Sequence, residues 1–238
     1  MKRFFALAAC AALTWNGAVL AQGAKPDLAK AEATAKQVCA ACHAADGNSM
    51  APANPKIAGQ IEGYLAKQLA NFKPQGDKKA ERENPIMAGM VANLSPEDMR
   101  GLAAYYAGQK LKPAAAKDKK LAEAGQKLWR GGNAATGVAA CSGCHGPDGA
   151  GIPSQYPRLS GQFAEYVEAQ LKAFKAGARA NDPNGMMRGV AARMTDAEIK
   201  AVSEYAAGLR SAQVPPARRP ARDAAARNKA AATLFSAR

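Results

Sequence analysis

Both histidines of the 238-residue chain, and four of its five cysteines, fall inside one five-residue pattern that occurs twice. The first copy is Cys39-Ala40-Ala41-Cys42-His43 and the second is Cys141-Ser142-Gly143-Cys144-His145. The fifth cysteine, Cys10, lies in the N-terminal leader discussed below. A chain that spends its thiols and imidazoles this way has little left for other site chemistry.

The spacing identifies the chemistry. Two thiols three residues apart on one helical turn reach the two vinyl groups of a single haem, and the adjacent histidine meets the iron. That pattern is c-type haem attachment. A thioredoxin-like pair needs no following histidine and comes with a βαβ pattern, which is absent. A zinc site needs four ligands, and six residues cannot build two of them. Disulfides would leave both histidines unexplained. Two covalently bound haem c groups are therefore expected, on Cys39 and Cys42 and on Cys141 and Cys144, with His43 and His145 as iron ligands.

The duplication extends beyond the motif. Asp46-Gly47 recurs as Asp148-Gly149, and Pro55-Lys56-Ile57-Ala58-Gly59-Gln60 as Pro157-Arg158-Leu159-Ser160-Gly161-Gln162, at the same offset of 102. Tyr64, Gln68, Leu69 and Phe72 recur as Tyr166, Gln170, Leu171 and Phe174. The offset then drops to 100, so that Met87 pairs with Met187 and Tyr105 with Tyr205. The change marks a tolerant loop between Phe72 and Met87. Organisation follows: a leader at 1–21, a first unit at 22–112, a linker and second unit at 113–213, and a basic tail at 214–238.

Periodicity predicts an all-α fold. Residues 27–41 and 119–131 read as the first helix of each unit, leading toward the haem motif. Tyr64 to Phe72 and Tyr166 to Phe174 keep one apolar face. Ser95-Pro96-Glu97-Asp98 and Thr195-Asp196-Ala197-Glu198 carry the N-cap signals of a final helix.

The sixth iron ligand must come from another residue type, since no third histidine exists. Met, Lys, Asn, Tyr or an open site remain. Of the eight methionines, Met99 and Met194 read as core. Met90 aligns with Val190 and Met186 with Ile86. Only Met87 and Met187 are methionine in both units, which makes them the candidate axial ligands. Pro55 and Pro157, each twelve residues past a histidine, offer carbonyls that could orient the imidazoles. Arg82 and Arg179 are candidates to pair with haem propionates.

Lys2-Arg3, the apolar run from Phe4 to Leu13 and Val19-Leu20-Ala21 form a secretory leader with cleavage after Ala21. Export implies a periplasmic location and removes nucleic acid as a partner. Loss of Lys2 and Arg3 with the leader takes the formal charge from +14 to +12, and that basic surface would steer docking to acidic patches on protein partners. The basic tail reads as a solvated end or as a segment resting on anionic lipid, which would make the protein peripheral on the inner membrane.

With these landmarks in order, residues 25–212 resemble the di-haem cytochrome c4 family. GNSMAPANPKIAGQ after the first motif carries the likeness, as do CSGCHGPDGAG, YPRLSGQ, YVEAQLKAF and NGMMRGVAARMT. The resemblance implies two tandem class I cytochrome c domains, each around one covalent haem c. It implies His43/Met87 and His145/Met187 as axial pairs. It further implies an electron carrier between redox proteins, an upstream donor and a membrane terminal oxidase of the respiratory chain. Two other roles compete. One is the haem-c subunit of a larger dehydrogenase. The other is a di-haem enzyme, which the lack of a third histidine and of a free mature cysteine disfavours.

Overall fold

The computed structural model describes residues 25–212. The leader and the basic tail lie outside the described residues. Ten α-helices and two short irregular helical turns make up the described chain, and strand pairing among these residues is limited to three isolated bridges. The all-helical expectation holds. Among the described residues no helix is long and apolar enough to cross a membrane.

The first lobe contains α1 (Leu28–Thr34), α2 (Ala40–His43), α3 (Glu62–Phe72), α4 (Pro85–Val91) and α5 (Pro96–Ala107). The second contains α6 (Lys119–Gly131), α7 (Ser142–His145), α8 (Ala164–Lys175), α9 (Met186–Ala191) and α10 (Asp196–Gly208). In each lobe the last helix packs on the first and on the helix that follows the haem motif. Leu65, Leu102, Ala103 and Tyr106 fill the centre of the first lobe, and Leu128, Trp129, Val167, Ile199 and Val202 that of the second.

Small residues set the crossing of first and last helices. Ala31 faces Gly101 in one lobe, and Gly125 faces Ala201 in the other. Each crossing holds one glycine and one alanine, with the roles exchanged. The approach to the haem motif differs between lobes. α1 runs through a widened turn at Ala35–Cys39 straight into α2. α6 instead stops at Gly131, and residues 132–141 intervene before α7. Gly132 explains the stop: its φ is +67, and a Cβ there would lie 2.2 Å from the Val138 carbonyl oxygen. The regular offset between units therefore fails ahead of the motif, because the second lobe carries this extra loop. The change of offset after Phe72 falls in the loops joining α3 to α4 and α8 to α9.

Both final helices begin in capping boxes. Ser95 Oγ accepts the Asp98 N–H, and Asp98 Oδ2 accepts the Ser95 N–H. Thr195 and Glu198 repeat the arrangement. Asp98 also meets Lys30 Nζ at 2.6 Å, tying α1 to α5. The Lys30 bond first, and the Ser95 bonds second, lower the Asp98 carboxyl from 3.8 to about 2. A carboxyl with a depressed folded-state pKa stabilises fully above its unfolded value, and that stability is lost as pH falls through the folded value. Replacing Asp98 with Ala should cost about 1 kcal/mol at neutral pH, mostly from the cap. Unfolding midpoints of the two proteins should converge as the pH drops from 3.8 to about 2. A gap that stays constant over that range would exclude the carboxylate as the source.

The segment between the lobes is held by both. The Lys112 N–H donates to Asn48 Oδ1, and the Ala114 N–H to the Gly161 carbonyl. Leu111 is 7% exposed.

Candidate haem centres

Each attachment motif is a single helical turn. Residues three and four apart on a helix share a face, so Cys39 and Cys42, and likewise Cys141 and Cys144, line up beside their histidine. All four thiols are free. Burial raises the Cys141 thiol to about 11, which keeps it protonated at neutral pH. Both turns end abruptly, at Ala44 with φ +60 and at Gly146 with φ +81. Ala44, with ψ 158, occupies a region almost reserved for glycine and holds strain of about 1–3 kcal/mol next to His43.

The histidines are buried, His43 at 9% and His145 at 6% exposure. His43 Nδ1 lies 3.0 Å from the Pro55 carbonyl oxygen, and His145 Nδ1 lies 2.9 Å from that of Pro157. A carbonyl can only accept, so each Nδ1 carries the proton and each Nε2 keeps a lone pair. Burial pushes both imidazoles below the ordinary histidine value, and the proline carbonyls oppose it only partly. Both rings are therefore neutral at pH 7. His145 Nε2 is buried without a hydrogen-bond partner. A desolvated lone pair with no donor facing it costs free energy, and a metal ion satisfies it. Two free thiols, a neutral imidazole and that orphaned nitrogen fit a covalent haem.

The Asp-Gly repeats, which sequence reasoning noted without a role, anchor the proline loops. The Gly47 carbonyl accepts the N–H groups of both Ile57 and Ala58, and the Gly149 carbonyl those of Leu159 and Ser160. Gly47 has φ +74, and a Cβ there would come within 2.8 Å of Ala58 N and of the Tyr106 ring. The glycine lets the loop close, and the closed loop aims the proline carbonyl at the imidazole.

Met87 and Met187 occupy equivalent places on α4 and α9. Met87 packs against Phe72, Val91 and Met99, and Met187 against the second-lobe core. Both are half-buried. Their neighbours Met90 and Met186 are exposed, while Met99 and Met194 are core, at 5% and 3% exposure.

The structure places Arg82 and Arg179 on the contact between lobes. Arg82 Nη2 donates to Tyr166 Oη and Gln170 Oε1 of the other lobe. Arg179 Nη2 donates back to Tyr64 Oη and Gln68 Oε1. Each guanidinium also stacks on the phenylalanine of its own lobe, Phe72 at 4.6 Å and Phe174 at 4.5 Å from the ring centre. The two arginines, read from the sequence as candidates for haem propionates, bond here to tyrosine and glutamine side chains of the opposite lobe.

Comparison with known proteins gives the family. The cytochrome c family model matches twice, at residues 21–110 and 122–210. Cytochrome c4 of Thiocapsa roseopersicina is 51% identical over 180 residues, covering 75% of this chain and 90% of that protein. A thiosulfate dehydrogenase electron acceptor of Thiomonas intermedia is 39% identical over 210 residues, covering 87% and 91%. The crystal structure of reduced recombinant cytochrome c4 from Pseudomonas stutzeri superposes with a TM-score of 0.73 at 42% identity, over 78% of this chain and all of that one. The chain thus belongs to the cytochrome c family, as a two-domain electron carrier of the cytochrome c4 group with two covalent haem c groups.

Proposed function

We propose that Cys39 and Cys42 hold one haem and Cys141 and Cys144 the other, with His43/Met87 and His145/Met187 as the axial ligand pairs. The units at 22–112 and 113–213 each serve one haem. The observation that carries this reading is the orphaned Nε2 of His145, held neutral and aimed by Pro157. Bound haem supplies a one-electron iron couple; the chain supplies the rest. Pro55 and Pro157 lock the imidazole tautomer and ring orientation. Met87 and Met187 present a soft thioether, which favours ferrous iron and raises the potential. With His43 and Met87 on one iron and His145 and Met187 on the other, oxygen and peroxide would find no open position, which favours electron transfer over a di-haem enzyme.

We place the carrier in the periplasm after removal of residues 1–21, working between an upstream donor and a membrane terminal oxidase. Without Lys2 and Arg3 the +14 of the full chain becomes +12, a charge that would steer the carrier to acidic docking patches, and the tail at 214–238 would add peripheral attachment to anionic lipid. A second reading has its own support. The relative named a thiosulfate dehydrogenase electron acceptor aligns over more of this chain than the Thiocapsa cytochrome c4 does. On that reading the donor is a dehydrogenase and this chain is its haem-c electron-accepting subunit. Co-purification of a dehydrogenase with the exported chain would select it.

A potentiometric titration tests the ligand set. It follows the visible haem bands and the weak red sulfur-to-iron band, with and without carbon monoxide. The expected result is two high-potential waves, both with the sulfur band and neither disturbed by the gas. Uptake of carbon monoxide by either haem would overturn the Met assignment for that lobe.

A further inference from the structure

Two glutamines make the same unusual contact across the lobe boundary. Gln162 Oε1 accepts the Lys56 N–H at 2.9 Å, and its Nε2 donates to the Lys56 carbonyl at 2.8 Å. Gln60 does the same to Arg158 of the second lobe, at 2.9 and 3.0 Å. Each side-chain amide thus pairs with the backbone of one residue in the opposite lobe. Both glutamines are buried, at 8% and 7% exposure. Each Oε1 also accepts the N–H of the following residue, Ile61 or Phe163, which pins the amide before it reaches across.

The peptide units they choose are the informative part. The Lys56 N–H belongs to the same amide as the Pro55 carbonyl, and that carbonyl accepts from His43 Nδ1. The Arg158 N–H shares an amide with the Pro157 carbonyl, which accepts from His145 Nδ1. A peptide is one resonance unit. A hydrogen bond accepted from its N–H moves electron density onto its oxygen, and chained bonds strengthen one another. The stronger acceptor pulls harder on the Nδ1 proton and makes Nε2 more basic, the usual effect of a partner behind a ligating histidine. A more basic ligand favours ferric iron and lowers the potential.

We propose that Gln60 and Gln162 are crossed positioning residues: each lobe's glutamine polarises the peptide that holds the axial histidine of the other lobe, and so tunes the other lobe's haem. The proposal rests on His43 and His145 being axial ligands. It makes the lobe boundary part of both iron sites, so separation of the lobes would raise both potentials.

The test uses the full-length protein with both haems bound. Potentials are measured haem by haem, from the paramagnetically shifted haem-methyl resonances followed through a redox titration. Cooperativity of roughly 10–30% in one hydrogen bond corresponds to about a twofold change in the ferrous-to-ferric ratio at fixed potential. That is about 18 mV at 59 mV per tenfold for one electron. Gln162→Met should raise the potential of the haem on His43 by this amount and leave the other unmoved, and Gln60→Met should do the reverse. A shift in the variant's own lobe, an equal shift in both, or none would overturn the proposal, because simple loosening of the boundary cannot select the opposite haem.

The Nδ1 proton separates this failure from failure of the ligand assignment. If the His43 and His145 ring protons carry no hyperfine shift in the wild-type protein, the ligand assignment falls and the relay falls with it. If they are shifted but do not move in the variants, the relay alone is wrong. Should a variant fail to fold, exchange of the wild-type Lys56 and Arg158 amide protons still decides. Protection comparable to that of the helix cores is expected, and exchange as fast as that of exposed loops would overturn the clamp.

Discussion

Gly125→Ala should destabilise the second lobe by about 2–4 kcal/mol, while the corresponding change in the first lobe, Gly101→Ala, should be neutral or stabilising by up to about 1 kcal/mol. A Cβ on Gly125 would lie 2.1 Å from the Ala201 carbonyl oxygen and 2.9 Å from Tyr205 Cβ. Neither is the end of a flexible side chain, so α6 and α10 must move apart. Movement there opens the packing of Trp129 and Leu128 on Ile199 and Val202. The gain in helix propensity on leaving glycine, about 1 kcal/mol, offsets only part of that loss. On Gly101 the new Cβ meets Ala31 Cβ at 3.4 Å and the Asp27 carbonyl at 3.6 Å, which is ordinary contact, so the propensity gain survives. Thermal unfolding of the haem-loaded protein, followed separately at each haem, is the measurement. A loss of this size is worth roughly 4–8 °C per kcal/mol in a domain of about 60–100 residues. Equal melting shifts for the two variants would show that the helices are not in contact as described.

The second large effect is electronic. Met87→Ala and Met187→Ala should each remove one sulfur-to-iron band, let one haem bind carbon monoxide, and lower that haem's potential by about 0.1 V or more, within the ~0.8 V that axial ligands command. The variants should differ in stability. Met187 packs on the large second-lobe cluster, and Met87 on the smaller group of Phe72, Val91 and Met99. Truncating a half-buried methionine should cost about 1–2 kcal/mol, below the figure for a fully buried one, with the greater loss at Met187. Met90→Ala and Met186→Ala alter exposed neighbours and should leave both bands intact. If either of these removed a band instead, the ligand would be the neighbour.

Such pairs of variants separate what is local from what is not. Haem attachment was legible because it depends on residues within one helical turn, Cys39 to His43 and Cys141 to His145. The capping boxes at Ser95 and Thr195 were legible for the same reason. The methionine pair emerged from comparison of the two units, which is a long-range argument but still one of sequence. Pro55 and Pro157 were candidates on spacing alone, and the 3.0 and 2.9 Å contacts to His43 and His145 supply the geometry. The first helix of the second unit, read at 119–131, is α6 with the same bounds, and Gly131-Gly132 marks its stop ahead of the loop at 132–141.

The sequence by itself determined the covalent chemistry and the helical class, since each depends on residues near one another in the chain. Only the tertiary structure decided how the lobes meet. Gln60 reaches Arg158, Gln162 reaches Lys56, and Arg82 and Arg179 each bond to a tyrosine of the opposite lobe. Residues about a hundred positions apart carry no mutual periodicity. Their pairing depends on which surfaces two packed lobes present to each other, and no local pattern encodes that.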